Sequence, residues 1–301
     1  MRIQQLDVPA SVLGEGPVWS HRDGCLYFVD IVSHRLQAYW PSSKRHAVWQ
    51  FETHVGSLAE CQSGGLLLAL GDRLVRFDPE RGPAHLEEVL VLERDRPLNR
   101  LNDGKADPYG RYWVGSMRVD ENAREGRLWC VSPDGAARAV RDGIGVSNSL
   151  GFDRARARLY FADSMTGLIE RNDFDADNEL TGWLPFAKAG ELGLAGAPPA
   201  HPGGAPDGSC VDSKGYLWNA EWGGYRICRY APDGSLERVI DMPVSRPSCC
   251  TFGGAKLRTL FVTSAQYNMS EEERRSDPNA GALFSIELDD VEGLPADQFG
   301  L

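Results

Sequence analysis

One motif recurs six times along the 301 residues, and that repetition constrains the fold more than any other feature. Gly24-Cys-Leu-Tyr-Phe-Val-Asp30 shows its form: a short apolar run, a turn, then an alternating run closed by Pro, Asp or Gly. Copies begin near residues 24, 65, 110, 158, 215 and 258, a spacing in the range of propeller blades. Arg226-Ile-Cys-Arg-Tyr230 has the period-2 alternation of a strand with two unlike faces. One such unit cannot bury its apolar face alone, so six must close around an axis. A sandwich has no reason to repeat one motif six times. The pattern predicts an all-β chain, a single six-bladed β-propeller over residues 1–301, with a short N-terminal strand completing the last blade.

Composition narrows the function classes. The 33 Gly and 18 Pro suit a chain of many turns. A net charge of −11 argues against nucleic acid, whose phosphates need a basic face. No apolar run approaches the roughly 18 residues of a membrane span, and the first residues lack the apolar core of a signal peptide. A cytoplasmic monomer is the expectation. Seven Cys, an odd number without a Cys-x-x-Cys pair, give no disulfide framework, and Cys249-Cys250 read as small buried apolar residues.

Two stretches break the repeat. Residues 187–206 are rich in Gly, Ala and Pro and contain His201, the histidine most worth following. Residues 266–280 carry Ser270 followed by Glu273, the capping-box signature of a short helix. Both stretches read equally well as lids or as idle insertions.

Several chemistries are absent. No Gly-x-Ser-x-Gly elbow exists, since Gly208-Ser-Cys lacks the second glycine. The six His show no i, i+4 pair, which excludes a zinc-protease helix. Gly143-Ile-Gly145 lacks the strand and helix of a dinucleotide site, and the spacing around Asp103 fails for an EF-hand.

Acidic and amide residues at the blade entrances remain. Glu15, Asn148 and Asp207 each read as part of a short turn before a strand, at the end where successive blades converge on the channel. Together they offer two carboxylates and one amide oxygen, a set suited to hard cations. From composition alone, each reads sooner as a turn residue than as a ligand. The stretch Arg100–Met117 leaves three readings open: a metal loop, a substrate-facing head or turns at Asp103-Gly104 and Asp107–Gly110.

Four landmarks in order, Leu13-Gly-Glu-Gly-Pro-Val-Trp19, Arg100-Leu-Asn-Asp-Gly-Lys105, Ser147-Asn-Ser-Leu-Gly151 and Pro206-Asp-Gly208, give the chain a family likeness. It resembles the gluconolactonase/regucalcin (senescence marker protein) family over nearly its whole length. The resemblance implies a six-bladed propeller that binds one divalent cation, Ca, Mg, Mn or Zn, through Glu15, Asn148 and Asp207. It implies that Arg100 and Asn102 contact a sugar lactone, that Asp120 meets sugar hydroxyls, and that the reaction is lactone hydrolysis with Asp207 as candidate general base. The splitting of the Arg100 stretch follows: a substrate-facing head, then turns, then blade. Two rival functions come with the family: a calcium-binding regulatory protein without catalysis, and a promiscuous esterase or phosphotriesterase.

Overall fold

Six four-stranded antiparallel sheets, each a blade, are arranged around a central channel as a β-propeller. The structure, a computed structural model, describes residues 1–174, 180, 182–190 and 203–301. In blade I the strands run outward from the channel as Gly14–Ser20, Cys25–Asp30, Arg35–Trp40 and Arg45–Gln50. The inner strands of blades II to VI are Val55–Glu60, Asn99–Ala106, Ser147–Asp153, Ala205–Val211 and Pro247–Gly253. Each inner strand packs against the next, and that of blade VI meets that of blade I, which closes the ring.

Blade VI takes three strands from the C-terminal part of the chain and its outermost strand, Ile3–Gln5, from the N-terminal end. That strand pairs antiparallel with Phe284–Glu287, Ile3 opposite Ile286. Beyond blade VI the chain crosses the face opposite the cavity described below. Gly293 bridges to Asp212 of blade V, and Phe299, fully buried, bridges to Cys61 after the inner strand of blade II.

Burial falls from the axis outward, which explains the sequence pattern. Cys25–Asp30 and Leu66–Leu70 are buried at every position, so they read as unbroken apolar runs. Arg45–Gln50, an outermost strand, keeps only intermediate and exposed positions. The core lies between blades, where Trp19 of blade I stacks on Phe261 of blade VI at 5.7 Å.

Buried aspartates fix the turns. Asp107 accepts from the backbone of Tyr109 and Arg111 and from the Trp113 indole; Asp212 does the same for Lys214, Tyr216 and Trp218. Arg111 and Arg229 complete these two carboxylates with paired charge. The repeated Asp-x-x-Gly…Trp spacing is thus one turn built twice.

Every inner strand carries a register shift near the same end: at Glu15/Val18, Val55/Ser57, Leu101/Gly104, Asn148/Gly151, Pro206/Ser209 and Pro247/Cys249. Glu15, Asn148 and Asp207 therefore sit inside bulged strands, not in turns preceding them. The Asp103-Gly104 turn expectation is likewise corrected: both residues lie within Asn99–Ala106. Gly104 is required by space, since a Cβ there would stand 2.5 Å from the Tyr112 hydroxyl and 2.6 Å from Ser57 Oγ. Among the described residues, no helix is long and apolar enough to cross a membrane.

Candidate metal centre and active site

The bulges re-aim side chains into the channel mouth. Gly16, immediately after Glu15, has φ +51°, and Ser149, immediately after Asn148, has φ +63°. Left-handed backbone costs a non-glycine residue about 1 kcal/mol or more. Ser149 is held there by bonds of its own: its hydroxyl donates to the Asp207 carbonyl at 2.6 Å and accepts from Asn219 Nδ2 at 3.0 Å. Asn219 donates to the same carbonyl at 2.8 Å, so two side chains, one from blade IV and one from blade V, fix the backbone of Asp207. The approaches are also pinned. Asp30 accepts from the amides of Val12 and Leu13 ahead of Glu15, and Asp163 from those of Gly145 and Val146 ahead of Asn148.

A cavity of about 320 Å³ opens at this end, and Glu15, Arg100, Asn102, Asn148 and Asp207 all line it. Ile31, Met117, Val146, Met165 and Trp222 add apolar surface to its lining. All five polar residues are buried. Arg100 donates from Nη1 to Asn102 Oδ1 at 2.6 Å; Asn102 Nδ2 donates to Ser147 O at 2.9 Å and Asn148 Oδ1 at 3.2 Å. Asn148 Nδ2 donates to Ser164 Oγ at 2.9 Å, and that hydroxyl donates to Pro206 O at 2.6 Å. Ser164 can only accept from Asn148, so the amide is oriented with its oxygen toward Asn102.

Glu15 and Asp207 share this buried space. Burial, then the neighbouring Asp103, pushes the Glu15 carboxyl up to about 8. Burial and the closeness of Glu15 raise Asp207 well above the ordinary carboxylate range. Two buried acids pressed together hold a proton between them instead of both ionising. A divalent cation would relieve the same repulsion, and the fixed Asn148 oxygen adds a third hard donor. The donor chemistry therefore fits a hard cation. Among the described residues no three His, Cys, Asp or Glu side chains form a metal-holding group; the set has only two acids and depends on the amide. Burial lowers Arg100 to about 10.

The structure separates Asp120 from this group. Its carboxylate pairs with Arg118 at 2.7 Å on the surface, which lowers it to about 2. Glu121, with φ +55°, lines the cavity instead. The left-handed residue turns two consecutive side chains apart, and Arg118 captures the first. Asn102 lines the cavity, and its NH₂ is engaged by Ser147 and Asn148 and its oxygen by Arg100, so it also links these residues. Of the two segments that break the repeat, residues 266–280 contribute Tyr267 and Asn268 to the wall. They also form the helix Glu271–Ser276, with both capping-box bonds made. In 187–206, Ala205 and Asp207 beyond it reach the cavity, while His201 lies outside the described residues. Ser149, Asn219 and Glu121 escaped the sequence reading; only the polar residue following Asn148 in a buried run hinted at the first.

The model of the SMP-30/gluconolactonase/LRE-like region matches residues 13–266. The chain belongs to this family. A 6-deoxy-6-sulfogluconolactonase of Pseudomonas putida is 32% identical over 280 residues, covering 92% of each chain. The pentonolactonase XacC of Haloferax volcanii is 35% identical over 281 residues, covering 92% of this chain and 91% of its own. The crystal structure of a calcium-binding protein, regucalcin, from Agrobacterium tumefaciens superposes with a TM-score of 0.89 at 28% identity, covering 99% of this chain and 97% of that one. Family members thus include sugar-lactone hydrolases and a calcium-binding protein on one scaffold.

Proposed function

We propose that this member of the SMP-30/gluconolactonase/LRE-like family hydrolyses a sugar lactone to its aldonic acid, with one divalent cation held by Glu15, Asn148 and Asp207. The observation that carries the reading is the meeting of two buried acids, an oriented amide oxygen and an arginine in one cavity. The cation, when bound, supplies Lewis-acid polarisation of a carbonyl. Asp207 accepts the proton of the attacking water and returns it to the ring oxygen as the C–O bond breaks. The carboxyl formed then ionises and acidifies the medium. Arg100 orients the lactone through its forked donors, and Asn102 holds Arg100 and Asn148 in register. Glu121, from the same wall, takes the hydroxyl contact expected of Asp120. All seven cysteines are free thiols, which suits a reducing, cytoplasmic setting.

The test is acid release from a panel of aldonolactones, on chelated protein with Ca²⁺, Mg²⁺, Mn²⁺ or Zn²⁺ added back. Cation-dependent turnover of at least one lactone is expected, lost in a folded Asp207→Ala variant. Tight Ca²⁺ binding with no turnover of any lactone would establish the regulatory reading instead, and unchanged turnover in Asp207→Ala would remove that residue from the mechanism.

A further inference from the structure

Asp103 and Lys105 belong to the most informative run of the sequence, yet the proposed reaction gives neither a role. Lys105 starts on the inner strand of blade III and donates its ammonium to the Ser209 carbonyl of blade V. It passes over blade IV, so the side chain crosses the channel. Ser209 lies two residues beyond Asp207 on the same strand. Asp103 is anchored to blade IV, its Oδ2 accepting from the Leu150 amide at 3.0 Å. Its charge reaches both site acids, being among the causes that raise Glu15 and Asp207. The Lys105 stem also lines a second cavity at the far side of the channel, with Ala59, Gly151, Cys210 and Leu294. Burial works against the ammonium and the charge of Asp103 favours it, and Lys105 stands above the ordinary lysine value, so it stays charged at neutral pH.

We infer that Lys105 is the resident cation of the channel: it compensates the charge of Asp103, and so sets how strongly the Glu15–Asp207 site draws a divalent ion. This rests on the reading of that site as a cation site. Three buried acids, Glu15, Asp103 and Asp207, face two fixed cations, Arg100 and Lys105. Removing the Lys105 charge leaves Asp103 uncompensated beneath the site. A doubly charged ion feels that change twice over, in a medium that screens less than water. Lys105 is accordingly a positioning residue, and its loss has an unusual sign. A purely structural strut, once removed, loosens the site and weakens cation binding; a compensating charge, once removed, tightens it.

Calorimetric titration of chelated wild type, Lys105→Met and Asp103→Asn with Ca²⁺ and with Mn²⁺ tests this without any lactone. Methionine keeps the apolar stem and approximate volume, and asparagine keeps an acceptor for the Leu150 amide. We expect Kd to fall on the order of tenfold in Lys105→Met and to rise on the order of tenfold in Asp103→Asn. Unchanged or weaker binding by Lys105→Met with a wild-type circular dichroism spectrum overturns the inference. Should that variant not fold, Asp103→Asn decides: unchanged or tighter binding overturns it. A wild type that takes up no cation contradicts the cation site itself, a different failure from a wild type that binds while the variants do not diverge.

Discussion

Glu15 and Asp207 are the residues on which pH acts. The folded chain holds a proton on Glu15 up to about 8, whereas an unfolded glutamate releases it near its ordinary value of 4.5. The folded state therefore binds more protons over that interval. The sign follows: this contribution to stability is full below 4.5 and is lost as pH rises toward 8. Chelated protein should accordingly show a falling Tm between those limits by scanning calorimetry, and saturating cation should flatten or reverse the slope. A Tm that rises with pH in the chelated protein would contradict the shared proton. At this scale the sequence was partly legible. Glu15 and Asp207 stand out beside Gly or Pro in Gly-Glu-Gly-Pro and Pro-Asp-Gly, and Arg100 and Asn148 through the runs Arg100-Leu-Asn-Asp-Gly and Ser147-Asn-Ser-Leu-Gly; all four line one cavity. Ser149, Asn219 and Lys105 could not be found this way, because what they do depends on partners 58, 12 and 104 residues away in the chain. Asp120 pairs with Arg118 outside the cavity while its neighbour Glu121, at φ +55°, lines it, an arrangement that depends on backbone the sequence does not spell out.

The inner strand with its bulge is the element that carries the site. Gly or Ser on either side of a polar residue reads as turn chemistry, and that is why Glu15, Asn148 and Asp207 were expected in turns. In a propeller the same residues serve a bulge inside a strand, and some glycines answer to crowding instead of to backbone conformation. Gly104 is the plainest case, with an ordinary φ and the Tyr112 and Ser57 hydroxyls against it. Those two hydroxyls bond each other at 2.9 Å, and Ser57 Oγ donates to the Asn102 carbonyl at 2.7 Å. Gly104→Ala should therefore cost about 1–3 kcal/mol in denaturant unfolding, the range for overpacking a tight interior. It should also weaken cation binding, because the backbone of Asn102 would shift. A variant as stable as wild type would mean that the strand moves aside freely. The alternating run Arg226–Tyr230, by contrast, is buried at every position, because Arg226 and Arg229 are paired with the buried acids Glu221 and Asp212; Gly126–Val131 keeps a partial alternation.

The whole molecule is held closed at two places that no single blade supplies. The N-terminal strand completes blade VI, and the C-terminal segment ties blades VI, V and II across the face away from the cavity. Six repeats announced the propeller, but the path of the last residues had no periodic signal, because they form no regular strand. Phe299 is their anchor: it is fully buried between blades II and III, edge-on to Tyr112 at 6.4 Å. Phe299→Ala should destabilise the protein by about 3–5 kcal/mol, read as a lower denaturation midpoint. It should leave cation affinity near wild type, since the cavity is at the other end. Loss of cation binding in a still-folded Phe299→Ala would show that the two faces are coupled more tightly than separate closures allow.

The central claim is that one cation, held by Glu15, Asn148 and Asp207, is the cation that lactone hydrolysis requires. Calorimetric binding and acid release, followed on the same chelated preparation as one divalent ion is titrated in, test it together. The account predicts one ion per chain, with turnover rising along the binding curve, and both signals lost in Asp207→Ala. Undiminished turnover in excess chelator, or turnover that follows a different curve from binding, would contradict it.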